Sequence, residues 1–212
     1  MKTISRAKTW FRTLVAAVSL CAVQWNDAAA VAASGTININ GGEATVGTIY
    51  MGATTVSTGV STLVLNGGTL TTGNIAFRPG NGQVFTWGGG TFVATKANVF
   101  SMQAFDASNT KTRTMQITGN PASFNTAGHD QVLPAFTGTG KLRLTGGGTV
   151  KFAQSTLTYG LVLDGAALNL GMLNKNAPLL TVPSLEITGP VTLCVKRPVP
   201  STERYPLIAC TS

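Results

Sequence analysis

After residue 34 the chain alternates apolar and polar positions in short runs, and most of the runs turn at glycines. The clearest copies are residues 35–46 (GTININGGEATV), 62–75 (TLVLNGGTLTTGNI), 83–93 (QVFTWGGGTFV), 141–152 (KLRLTGGGTVKF), 161–170 (LVLDGAALNL) and 185–195 (LEITGPVTLCV), with a weaker one at 115–124 (MQITGNPASF). Period-two alternation rich in Val, Ile, Leu, Phe and Thr, bounded by Gly, Asn and Asp, predicts strands. Anchored on Gly41, Gly67, Gly89, Gly119, Gly147, Gly165 and Gly189, the copies advance by 26, 22, 30, 28, 18 and 24 residues.

A loose period in the twenties, built of strands and glycine corners without a helical stretch, predicts an all-β fold, a right-handed parallel β-helix in which each repeat is one coil. Ile37 and Ile39, Leu63 and Leu65, Leu142 and Leu144, Leu161 and Leu163, and Ile187 are then the inward residues, stacked from coil to coil. Outward positions are mostly Thr, Asn and Ser. An antiparallel β-sandwich is the alternative, because Asn40-Gly41 and Asn66-Gly67 between alternating runs are also a hairpin signal. Residues 98–112 interrupt the repeat and read as a loop leaving the stack.

Composition sharpens this picture. Only 10% of residues are charged, against about 25% in a typical soluble domain, so Thr, Asn, Ser and Gly must cover the surface. The 25 glycines all lie from Gly35 onward, whereas residues 1–33 hold none. That first segment has a basic start with Lys2, Arg6, Lys8 and Arg12, a short apolar run, and a small-residue exit AAAVAAS. This is the layout of a cleaved signal peptide, and the apolar run is too short for the roughly 17–25 residues of a membrane-spanning helix. A lipoprotein reading would acylate Cys21, but Leu20 before it is bulkier than such a site takes. The organisation expected is a signal peptide at 1–33 and a β-helical repeat domain at 34–212, with a C-terminal cap over about 184–212. Removing the leader takes 4 of 15 bases and 1 of 7 acids, leaving 11 against 6, a net charge of +5.

Cys194 and Cys210 remain after the leader. In an oxidising compartment the pair reads as one disulfide, worth about 3 kcal/mol for a loop of this size; two free thiols are the other reading.

Residues 136–171, FTGTGKLRLTGGGTVKFAQSTLTYGLVLDGAALNLG, resemble the autotransporter-associated β-strand repeat of bacterial surface proteins. The likeness rests on Gly138-Thr139-Gly140, Leu142, Leu144, Thr145-Gly146, Gly160, Gly165, Leu168, Leu170 and Gly171. The family's Asn-Thr-Tyr-Thr-Gly-like turn is replaced here by GGTVKFAQSTLTYG. The resemblance implies a β-helical passenger-like domain, secreted or displayed at the cell surface, acting as scaffold or adhesin, with no catalytic residue to carry over.

The residues themselves offer little chemistry. Glu43, Asp106, Asp130, Asp164, Glu186 and Glu203 are scattered, while glycoside hydrolysis in most families needs two carboxylates across one bond. Asp164 and Glu186 are the nearest candidates, but counted from Gly165 and Gly189 they fall in different columns. A carbohydrate-active β-helix enzyme or a glycan-binding module is therefore the alternative function rather than the leading one. His129 is the only histidine and lacks partners for a zinc site, so no metal or cofactor is expected. Lys111 with Arg113, and Lys141 with Arg143, alternate along strands and form a candidate basic stripe toward anionic surface polysaccharide. Trp87 is a candidate sugar-stacking ring, with core packing the competing role. The partners expected are surface polysaccharide or other surface proteins, with no nucleic acid and no transmembrane segment in the mature chain.

Overall fold

The computed structural model describes residues 23–25, 34–52, 59–80, 82–105, 111–119, 121–174, 176–196 and 204–211. The expected leader, apart from Val23–Trp25, lies outside the described residues, and so do Asp106 and Glu203. Among the described residues the fold is all-β, without a helix.

The strands run β1 (Val23–Trp25), β2 (Gly35–Met51), β3 (Val60–Phe77), β4 (Gly82–Trp87), β5 (Thr91–Ala94), β6 (Phe100–Met102), β7 (Arg113–Ile117), β8 (Ala122–Asn125) and β9 (Gln131–Leu133). They continue as β10 (Lys141–Thr145), β11 (Thr149–Phe152), β12 (Gly160–Leu163), β13 (Ala167–Met172), β14 (Leu180–Val182), β15 (Leu185–Ile187), β16 (Thr192–Lys196) and β17 (Ile208–Cys210). Every pairing between described strands is parallel. The antiparallel alternative is thereby corrected. At Asn40-Gly41 the chain does not reverse: β2 bends at Gly42, whose φ is 70°, and runs on to Met51.

β2 and β3 each thread three ladders, and β4, β5 and β6 are those same stretches as separate strands. The first ladder joins the starts of β2 and β3 to β4 and β7. The second joins their middles to β5, β8, β10, β12 and β15, in one unbroken register. Along it one inward column reads Ala44, Leu70, Phe92, Phe124, Leu144, Leu163 and Ile187. Beside it lies Glu43, Thr69, Thr91, Ser123, Arg143, Val162 and Glu186. The third joins the ends of β2 and β3 to β6, and β9, β11, β13 and β16 pair in a separate four-stranded sheet further along the chain. Further along, β14 pairs with β17 and the bridge Thr156–Thr181 lies beside them.

Aromatic side chains from all three ladders meet in one core. Phe85 of the first, Phe92 of the second and Phe100 of the third are all buried, with Phe92 and Phe100 stacked at 5.5 Å and Phe85 6.2 Å from Phe100. Burying each ring contributes roughly 1.5–3 kcal/mol, and no single ladder could enclose them alone. The expected inward set agrees with the register: Ile37 pairs with Leu63, Ile39 with Leu65, Leu142 with Leu161, and Leu163 with both Leu144 and Ile187. Ile37 and Ile187 are nevertheless exposed, because the start of β2 and β15 each have a partner strand on one side only among the described residues.

The glycine anchors mark two different corners. Gly67, Gly89, Gly119 and Gly140 stack backbone on backbone between the first and second ladders: a Cβ on each would fall 2.7, 2.5, 2.5 and 2.3 Å from an oxygen of the preceding pass. Gly147 instead belongs to the next corner, where its N–H donates to the Gly165 carbonyl at 3.0 Å. The step from Gly119 to Gly147 thus compares unlike positions. Part of the expected loop at 98–112 is strand, since β6 pairs with Ile75–Phe77, while residues 106–110 lie outside the described residues.

Candidate functional site

Three of the four basic residues of the expected stripe stand on two ladders, and Lys111 precedes β7. Lys141 and Arg143 lie on β10, in the second, and Arg113 on β7, in the first. The stripe is thus not continuous, and its charges are engaged. Lys141 Nζ lies 3.7 Å from Glu186 Oε2. Arg143 donates from Nε at 3.1 Å, and from Nη2, to Asp164 Oδ2. The two acids weighed as a catalytic pair are therefore counter-ions for two of the bases weighed as a binding stripe. Glu186 pairs in register with Val162, two positions before Asp164, so the two acids occupy different columns as expected.

Arg113 serves the interior. Its Nε donates to Gln83 Oε1 at 2.5 Å and its Nη2 to the Gln103 carbonyl at 3.0 Å, while the guanidinium lies over the rings of Phe105 and Phe77. Burial lowers its pKa from the ordinary arginine value. Gln83 Nε2 in turn donates to the Met51 carbonyl at 2.8 Å and to that of Arg78. This network ties the end of one pass to the start of the next. Lys111 is half-buried and has a partner of its own.

Trp87 is fully buried against Phe85, Phe92, Phe124 and Phe136. Its inward position on β4 rules out a sugar-stacking face and corrects that candidate. Asp130 links two passes: its Oδ1 accepts from the Thr149 N–H at 3.0 Å. Cys194 and Cys210 are both free and exposed. They lie on β16 and β17, which are anchored to β13 and β14 respectively, so the expected bridge is not formed.

Two features were not drawn from the sequence. One is a groove of about 470 Å³ along the corner between the first and second ladders, lined by Thr118, Thr139, Lys141, Thr158 and Ser184 from successive passes, with Gly140 and Gly160 beside them. The Thr-Gly and Thr-x-Gly corners carry its signal, but only once the two corner types are told apart. The other is the apolar end of the stack. There Leu163, Leu185, Ile187, Leu193 and Ile208 line an open depression of about 350 Å³, with Ile187 60% and Leu193 39% exposed. Among the described residues no group of His, Cys, Asp and Glu is arranged to hold a metal ion, and no helix is long and apolar enough to cross a membrane.

No protein-family model, curated protein or solved structure matches this chain.

Proposed function

We propose that the chain is an exported repeat protein of the cell surface or secreted medium, folded as a right-handed parallel β-helix and acting as a structural scaffold or adhesin rather than as an enzyme. The observation that carries this reading is the meeting of Phe85, Phe92 and Phe100, one from each parallel ladder, in a common interior. Such an arrangement makes a stiff rod with a surface set by its outward Thr and Asn residues. The leader at 1–33 and the likeness of residues 136–171 to the autotransporter-associated repeat support export and a passenger-like role.

The test is fractionation of bacterial cells expressing the full chain. A product shortened by about 33 residues, found in the periplasm, at the surface or in the medium, is the expected result. An uncleaved product confined to the cytosol overturns the reading.

The corner groove supports a second reading, a glycan-binding module, because Lys141 and hydroxyl-bearing residues of several passes line it. Saturable binding of an anionic polysaccharide that weakens in Lys141→Ala, with unchanged thermal unfolding, would favour it over a plain scaffold.

A further inference from the structure

The last pass leaves β15, β16 and β17 each with one partner among the described strands, β12, β13 and β14 respectively. Among the described residues no strand pairs with their other edges, which lie next to exposed Ile187, Leu193 and Val195. An open edge of this kind is a template for pairing with another chain. We infer that this end is a self-association surface, on which a second copy of the chain docks about a two-fold axis passing through Cys194.

The sequence of β16 carries the choice of occupant. Cys194 is the central residue of Thr192–Lys196, so antiparallel pairing of β16 with its own copy about that residue places Leu193 opposite Val195 and Thr192 opposite Lys196. Apolar residues meet apolar ones, and no like charges face each other. On the β-helix reading β14 and β17 lie on the side of the first ladder, so the axis exchanges that side with the second ladder and sets β15 against β17 of the second copy, also antiparallel. Leu185, Ile187 and Ile208 are thereby covered in the same contact. This step rests on the β-helix reading, since only a three-sided stack presents its ladders in that order.

Head-to-tail stacking is disfavoured by the same register. With the leader and its β1 removed, continuing the second ladder in line brings Glu43 of the next copy into the column that ends at Glu186, and like charges directly opposite are destabilising. The two-fold contact also closes on itself, giving a dimer instead of a filament.

The free, exposed Cys194 supplies a reporter. Residues directly opposite in an antiparallel pair have Cα atoms about 4.5–5.5 Å apart, inside the roughly 4.4–6.8 Å that a disulfide spans. With oxidised glutathione as oxidant, the Cys194 thiolate of one copy attacks the glutathione disulfide and releases one glutathione thiolate. The Cys194 thiolate of the other copy then displaces the second glutathione. One disulfide forms, one is reduced, and two glutathione thiols are the products.

The experiment uses the processed protein as the expressing cell releases it. Sedimentation velocity under reducing conditions is expected to show a concentration-dependent dimer. Val195→Lys, an exposed change, is expected to weaken it at least tenfold. Oxidised glutathione is expected to give a covalent dimer in the wild type and in Cys210→Ser but not in Cys194→Ser. A monomer at every concentration, a series of larger oligomers, or cross-linking that requires Cys210 overturns the inference. Amide hydrogen exchange on the same sample separates the two readings. Protected amides at Leu142 and Leu161 in a protein that stays monomeric sink the dimer alone, whereas free exchange there sinks the β-helix with it.

Discussion

Arg143 turns two guanidinium donors onto a single carboxylate oxygen, Oδ2 of Asp164, one pass further along the chain. The pair clips neighbouring passes at the outer edge of the second ladder. Both side chains are partly exposed, 41% and 31%, so solvent screens the attraction and its worth is about 0.2–1 kcal/mol. Asp164→Asn is accordingly expected to lower stability by no more than this, and less at high salt. Urea unfolding at two ionic strengths checks it. A loss of several kcal/mol, unchanged by salt, would contradict the screened-pair account.

Trp87 is the only tryptophan after residue 33, and its ring meets Phe124 edge to face at 6.0 Å and 86°. Replacing it by Ala leaves a cavity at the junction of the first and second ladders and is expected to cost about 3–5 kcal/mol. In the processed protein, tryptophan emission should be blue-shifted and shielded from iodide until unfolding. Red-shifted, quenchable emission from the folded protein would refute the burial.

Two glycine-to-alanine changes separate close approach from open space. A Cβ on Gly119 would lie 2.5 Å from the Gly88 carbonyl oxygen, whereas one on Gly41 meets nothing within 4 Å. Gly119→Ala is expected to destabilise by about 1–3 kcal/mol through forced backbone shifts. Gly41→Ala should change stability by less than about 1 kcal/mol, with a gain where the unfolded chain loses freedom. Equal unfolding midpoints for the two variants would refute the backbone stacking at this corner.

Tyr159 is fully buried and its hydroxyl has no hydrogen-bond partner among the described residues. Burial pushes its pKa well above the ordinary tyrosine value. The folded state thus holds this proton more tightly than the unfolded chain, so the contribution is fully present below about pH 10 and fades as pH rises above it. Tyr159→Phe removes that alkaline loss and relieves an unpaired buried group, which makes it neutral or stabilising at pH 7. Unfolding curves at pH 7 and pH 11 for both proteins check this. A variant that loses stability at pH 7 would mean that the hydroxyl has a partner.

Much of the fold is legible in the alternating runs. Ile37, Leu63, Leu142 and Leu161 were readable as inward because a strand presents every second residue to one side, and stacking pairs them as expected. The glycine spacing was less informative. A corner needs a residue that tolerates positive φ or close backbone approach, and the chain has two such corners in each pass, so Gly119 and Gly147 look equivalent without being so. The candidate site was legible only as residue types. Lys141, Arg143, Asp164 and Glu186 could each be singled out, but not that they neutralise one another, because that depends on which passes are neighbours.

The sequence alone determined that the chain is built of short strands with apolar residues on alternate positions, since that follows from local backbone geometry and the hydrophobic effect. Tertiary structure decided that the strands pair in parallel, that Trp87 points into the core, and that Cys194 and Cys210 stay apart on different strands. Each of these depends on contacts between residues some twenty to thirty positions apart. Asn40-Gly41 satisfies a hairpin and a corner equally well, and only the burial of three ladders around one aromatic core selects between them.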